Sequence, residues 1–391
     1  MLKIYLKPGR EKSVRKFHPW IFSGAVERLE GEAQTGAEVA VFSKKDAFLA
    51  RGFYSKHSQI CTRLFRWQDE PVDADFICGR IAEAVRLRKS MIQGETNAYR
   101  VINAEGDGLP GLIIDRYADT LVVGFSNAGI ENFRSEIVNF LKNEFSPVTI
   151  FERSDSQHRR EEKLPTIRQT LSGDEVSENV EILENGMRFL ADVSGGQKTG
   201  FFLDQRDNRA LAKTLAQDKS VLNGFAYSGG FTVAALKGGA SSVVSVDSSK
   251  PALEIARKNM ALNDFAVDDA AFVAADMFQY LRENDATYDM IVLDPPAFAK
   301  HRRDVGRASR AYKDVNMKAM QRLNSGGLIF TCSCSQHISP DLFQKVLFAA
   351  ATDANVSAKI LLERGHSPDH PINIYHPEGR YLHAFLLQIE K

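Results

Sequence analysis

The chain has 391 residues, 43% hydrophobic and 26% charged, which fits a globular protein of two or three domains with ample core. No stretch approaches the ~20 apolar residues of a membrane span, and the start, Met-Leu-Lys-Ile-Tyr-Leu-Lys-Pro, has no signal-peptide core. With four cysteines, too few for a disulfide scaffold, these features predict a cytoplasmic protein.

Lys+Arg and Asp+Glu are both 50, so global charge gives no argument for a polyanionic partner. Locally the balance differs. Residues 1–70 hold thirteen Lys/Arg against eight Asp/Glu, and Lys300 to Asp314 hold six against two. Such patches let a neutral protein hold phosphates, although a charge run is more often a solvated face.

In chain order, residues 1 to about 68 alternate in a β manner. Short strands at Ile4–Leu6, Glu38–Phe42, Phe48–Phe53 and Ile60–Phe65 are separated by Gly-, Asp- and Ser-rich turns. His18-Pro19-Trp20-Ile21-Phe22 reads as a turn or short helix between them. The whole predicts a small β-barrel. Residues 73–93 predict one amphipathic helix. The strands Tyr99–Asn103, Leu112–Tyr117, Leu121–Phe125 and Val148–Arg153, with a helix over Ile130–Phe145, predict an α+β middle unit. The polar stretch from Asp155 to Glu178 reads as a linker, and Ile182 to Phe189 as a hairpin.

The last part is organised around one turn. Val221 and Leu222 open a strand, Gly224, Gly229 and Gly230 make a turn, Thr232–Lys237 is helical, and the strand Val243–Val246 ends in Asp247. Strand, glycine turn, helix, strand and acid is the order by which a doubly wound sheet binds a nucleoside. The spacing is not GxGxxG, so a pyrophosphate cradle is not expected, whereas S-adenosylmethionine (SAM), an adenosine without phosphate, suits it. A helix over Pro251–Leu262 follows. Three more strands then end in Asp276, in Asp294-Pro295-Pro296 and in Cys332-Ser333-Cys334-Ser335. Polar groups after four strands lie on one edge of such a sheet.

Two stretches carry a family resemblance. Lys7-Pro8-Gly9-Arg10 with His18-Pro19-Trp20-Ile21-Phe22-Ser23-Gly24 resembles the start of a PUA domain, an RNA-binding module. Gln197–Arg206, Asp294–Lys300 and Thr331–Ser335 resemble the PUA-containing class I SAM-dependent RNA cytosine-5 methyltransferases of the ribosomal RNA large subunit methyltransferase I type. The resemblance covers essentially the whole chain. It implies a Rossmann-like class I methyltransferase sheet in an α/β domain, preceded by a PUA-like β-barrel and the α+β domain. The boundaries are 1–72, 73–180 and 181–391.

The resemblance also implies roles. SAM would be held by Asn223, Phe225 and Gly229 at the turn, Asp247 at the ribose, and Asp276 at the adenine amine. Gln197, Lys198 and Phe202 would lie over the methionine end, with Asp294 and Pro295 between cofactor and target base. The turn departs from the family pattern at Gly224, where Leu is more usual. Large-subunit ribosomal RNA would be the partner, contacted by Lys7, Arg10, Trp20, Lys300, Arg302 and Arg303. A homodimer is an open assembly state, and neither a metal nor a membrane is expected.

Cytosine C5 is a poor nucleophile, and adding a thiolate to C6 makes it reactive, which explains a need for cysteine. Asp294 would stabilise the charged adduct. Related cysteine-using enzymes place the nucleophile seven residues after a Gly-Gly pair, which gives Cys334, with Cys332 the alternative. Removal of the C5 proton falls to Cys332, a carboxylate such as Glu378, or water. Both thiols as buried core residues is the bland reading. Two rival functions are methylation of an exocyclic base amine, with Phe298 as a stacking partner, and a non-catalytic RNA-binding assembly factor.

Overall fold

The computed structural model describes residues 2–92 and 94–391. The chain forms two compact units: Met1–Ile182 with Ala191–Leu203 and Pro368–Gly379, and Leu183–Leu190 with Asp204–Ser367 and Arg380–Lys391. The segments 191–203 and 368–379, read from sequence as part of 181–391, therefore group with the first unit.

The first unit begins with six strands, β1 (Leu2–Leu6), β2 (Trp20–Phe22), β3 (Val26–Glu30), β4 (Glu38–Phe42), β5 (Phe48–Tyr54) and β6 (Ile60–Arg66), in the order β2-β6-β5-β4-β1-β3. Period-two alternation sends Ile4, Leu6, Val39, Val41 and Leu64 into one core. The expected turn or helix at His18–Phe22 is corrected. Trp20 pairs with Arg63 and Ile21 with Thr62, because Trp-Ile-Phe suits a pleated strand. The short helix here is Glu11–Arg15.

A second sheet follows, β7 (Ala98–Asn103), β8 (Leu112–Tyr117), β9 (Thr120–Phe125), β10 (Thr149–Ser154) and β11 (Ile167–Gly173), in the order β11-β10-β9-β8-β7. The helix Ala74–Met91, capped by the Asp73 carboxylate at the Phe76 amide, buries Ile77, Ile81 and Val85 against it. The single helix expected over 130–145 is two, Ala128–Glu131 and Arg134–Phe145, the first capped by Asn127.

The linker expected over 155–178 is also corrected. It holds the helix Gln157–Glu161 and the edge strand β11, which pairs with β10. Its polarity misleads because its buried charges find partners elsewhere in the chain: Arg159 with Glu131, and Glu162 with Arg63. Next come β12 (Val180–Glu184) and β13 (Met187–Ala191). The turn residues Asn185 and Gly186 have φ of 50° and 74°, the two positive values that a tight hairpin turn requires.

The second unit is built on β14 (Ser220–Gly224), β15 (Ser242–Asp247), β16 (Phe272–Ala274), β17 (Tyr288–Leu293), β18 (Leu323–Ser333), β19 (Ser357–Arg364) and β20 (His383–Glu390), ordered β16-β15-β14-β17-β18-β20-β19. Strands β16 to β18 along this order are parallel, joined by helices as parallel strands require. β20 runs antiparallel to both β18 and β19. The two sheet faces bury separate clusters, one around Ile291, Ile329, Tyr312 and Phe343, the other around Val221, Phe231, Val292 and Phe330. The winding direction reverses between β14 and β17, the point at which such sheets open a crevice. Among the described residues no helix is long and apolar enough to cross a membrane.

Candidate active site

Strand register sets four residues in one row. Gly224 pairs with Val246 and with Leu293, and Leu293 pairs with Thr331. One residue further along each strand stand Phe225, Asp247, Asp294 and Cys332. This row lies at the carboxyl ends of adjacent parallel strands. Asp276 follows β16 and caps the helix Met277–Glu283, its Oδ1 accepting from the Gln279 amide at 3.0 Å.

The turn after β14 is shaped by left-handed backbone at Phe225, Tyr227 and Gly229, with φ of 59°, 47° and 75°. Gly229 is needed twice over, since a Cβ there would also lie 2.8 Å from the Ala256 Cβ. Asp247 accepts from the Tyr227 amide through Oδ2 and from the Ser249 amide through Oδ1, each at 2.8 Å, which fixes its carboxylate beside the turn. At Gly224 a Cβ would lie 2.8 Å from the Met277 Sδ and Cε. Met277 thus occupies the space that a larger residue in the family pattern would claim.

Asn223 donates to Thr232 Oγ1 at 2.9 Å, while its buried Oδ1 has no hydrogen-bond partner. A buried orphan acceptor is costly, so a donor from a ligand suits this position. Phe225, Phe278 and Phe298 make an aromatic group next to the row, with ring centroids 6.0 to 6.4 Å apart. A carboxylate held at the turn, an unsatisfied amide oxygen and aromatic faces fit the hydroxyls and ring of an adenosine.

The two cysteines differ. Cys332 is fully buried among Phe231, Phe330 and Leu382, and burial, with the Asp294 carboxylate next, pushes its thiol well above the usual range. Cys334 is half-buried, and its Sγ donates to the Pro295 carbonyl at 3.5 Å. The structure therefore brings Cys334 to the Asp294-Pro295 segment. Ser335 ties the same segment down, bonding to the Ala299 amide at 3.2 Å and the Tyr312 hydroxyl at 3.0 Å.

Gln205 was not singled out from the sequence. Its Nε2 donates to Asp294 Oδ1 at 2.9 Å, and its own Oε1 accepts from Asn208 Nδ2 at 2.6 Å. Both amides are buried at the start of the helix Arg206–Leu215. The signal was present as two amides three apart on a polar helix turn.

Other expected residues lie in the first unit. Gln197 and Lys198 are exposed, and the Lys198 ammonium lies 4.4 Å from the Phe202 ring centroid. Their loop is anchored by Thr199, which bonds Asp115 at 2.5 Å and Tyr117 at 2.8 Å. Glu378 faces His18 and His376 at 3.4 and 3.7 Å. Lys7 and Arg10 are exposed, Lys7 bonding the Gly24 carbonyl at 3.0 Å, and Trp20 Nε1 donates to Glu105 at 2.8 Å. In the second unit Lys300, Arg302 and Arg303 are all exposed.

A family model for S-adenosylmethionine-dependent methyltransferases matches residues 153–373, and one for PUA-like domains matches 4–67. The chain is thus a SAM-dependent methyltransferase with a PUA-like domain at its start. A solved structure of a candidate SAM-dependent methyltransferase from Streptococcus mutans aligns over 99% of this chain and 100% of its own, at 25% identity and a TM-score of 0.85. A second, complexed with SAH, aligns equally far at 25% identity and a TM-score of 0.86. Proteins named Ribosomal RNA large subunit methyltransferase I are 44% identical in Pseudoalteromonas atlantica and 42% in Shewanella amazonensis and Vibrio cholerae, covering 99% of this chain and of each relative. The chain belongs to the ribosomal RNA large subunit methyltransferase I family.

Proposed function

We propose that the chain methylates C5 of a cytosine in large-subunit ribosomal RNA, with Cys334 as nucleophile. The substrate reading rests on the relatives' names; the chemistry rests on the contact between the Cys334 thiol and Pro295 beside a braced Asp294. Residues 1–72 would serve RNA contact, through Lys7, Arg10 and Trp20, with 73–180 as a support. Residues 181–391 would carry out methyl transfer, with Lys300, Arg302 and Arg303 on phosphates. The target base leaves its stack to enter the site.

Asn223, Phe225, Gly229, Asp247 and Asp276 would hold the adenosine, and Gln197, Lys198 and Phe202 would serve the methionine end. When bound, SAM supplies an electrophilic methyl group on its sulfonium. The Cys334 thiolate would form a bond to C6 as the C5–C6 π electrons shift toward N3, where Asp294 in its protonated form would donate its proton, so that C5 becomes nucleophilic and takes the methyl group, leaving the cofactor as its neutral thioether. Loss of the C5 proton to a base then lets the Sγ–C6 bond break. Cys332 does not serve as nucleophile: its burial and the nearby Asp294 carboxylate keep it a neutral thiol.

The test is transfer from labelled SAM to RNA from cells lacking the protein, using wild type, Cys334→Ala and Cys332→Ala, followed by nucleoside analysis. Label in 5-methylcytosine, lost only with Cys334→Ala, is expected. Label in an N-methylated base, indifferent to both substitutions, would overturn the reading.

A further inference from the structure

The first unit carries an open cleft of about 410 Å³ between the end of the helix Glu11–Arg15, the end of β6 and the segment after it, the helix Ala74–Met91, the loop 105–110 and residues 373–375. That volume is in the range of pockets that hold small organic groups. Leu64, Phe65 and Ala84 are buried beneath it. At its rim three aromatic rings meet: the Phe17 centroid lies 5.6 Å from that of Trp67 and 5.2 Å from that of Tyr375. Phe17 is 45% exposed and Tyr375 50%. Apolar surface held in water in this way marks an interaction site.

The rim is built at a cost. Phe17 has φ of 63°, the left-handed position that ends helices and that glycine normally fills. Its amide donates to the Val14 carbonyl at 3.0 Å, and the Trp67 Nε1 reaches the same carbonyl at 2.8 Å. One helix end therefore braces two aromatic rings. The acids around the cavity are engaged elsewhere: Asp107 is gripped by Arg88 at 2.5 and 2.7 Å, and Glu105 accepts from Trp20. Arg80, which lines the cavity, pairs with Glu83 at 3.1 Å. Just before Phe17, the side chains of Arg10, Lys12, Arg15 and Lys16 are all exposed.

We propose that this cavity takes an unstacked base of the substrate RNA against Phe17, Trp67 and Tyr375, with the flanking phosphates on Arg10, Lys12, Arg15 and Lys16. Flat aromatic faces beside a row of cations are how single-stranded RNA is held without base pairing. The site is separate from the strand-end row that performs the chemistry, and it rests on the proposal that the substrate is RNA.

The experiment measures binding of a labelled short single-stranded RNA across a salt series. Phe17→Ala and Tyr375→Ala should each weaken binding roughly 10-fold while leaving the slope of affinity against salt unchanged. Tyr375→Phe should keep wild-type affinity. The double substitution Arg15→Gln, Lys16→Gln should instead flatten the slope. SAM binding by calorimetry, unchanged in every variant, establishes that each is folded. Wild-type affinity in both alanine variants, while the wild type binds and methylates RNA, overturns the base site and leaves the cavity to a protein partner. A wild type that binds no RNA overturns the RNA reading together with it.

Discussion

The side-chain amide of Gln205 donates to Asp294 Oδ1 at 2.9 Å, and Asn208 in turn donates to Gln205. A carboxylate at the Asp-Pro-Pro segment that follows β17 is thereby held from a helix some ninety residues earlier in the chain. Gln205 is a positioning residue in this reading. Gln205→Leu should lower kcat about 10–100-fold, the value of a hydrogen bond to a charged group, with little change in SAM affinity. Unchanged kcat would show that Asp294 needs no brace.

Gly224 and Met277 share one volume. Gly224→Ala places a methyl 2.8 Å from the Met277 Sδ and 3.0 Å from Leu293 Cδ2, which should cost about 1 kcal/mol through overpacking. Met277→Ala in the same chain should recover part of that loss. Urea melts of the double-mutant cycle measure the coupling, and strictly additive losses would refute the shared volume.

Arg63 and Glu162 form a buried ion pair, each less than 5% exposed. Burial raises the Glu162 carboxyl, and Arg63 only partly counters it. Glu162→Gln leaves the guanidinium uncompensated and should destabilise the protein by about 3–5 kcal/mol. Replacing both with apolar residues, Arg63→Met with Glu162→Leu, should cost less than the single change. A larger loss in the double variant would contradict this account.

His383 lies opposite Ser333 on β18 and is 4% exposed. Burial, then the Arg380 charge, lowers its imidazole to about 4. The folded state refuses a proton that the unfolded chain accepts below its ordinary pKa of about 6.5. Stability from this group is therefore complete above about 6.5, falls as pH drops, and levels off near 4. Between pH 7 and 5 the wild type should lose ~2 kcal/mol more than His383→Asn. Parallel losses in urea midpoints would exclude His383 as the cause.

The sequence by itself determined the repeating strand-and-helix order of the second unit and the acids and thiols that close its strands. These follow from local rules: apolar runs make buried parallel strands, glycines make the turn, and parallel strands expose their carboxyl ends together. It also carried the pairing of Asn185 with Gly186 in a hairpin turn. What it hid were facts of distance in space. The 155–178 segment looked like a linker because its charges are visible in sequence and their partners, Glu131 and Arg63, are not. Trp20–Phe22 suits a strand by its residue types, but the partner that made it one, β6, lies some forty residues away in the chain. Cys332 and Cys334, two residues apart and equal in sequence, are separated by packing alone: one is sealed in the core and the other reaches the Pro295 carbonyl at 3.5 Å. The brace from Gln205 to Asp294 is of the same kind, a contact that tertiary structure made between residues that no local rule connects.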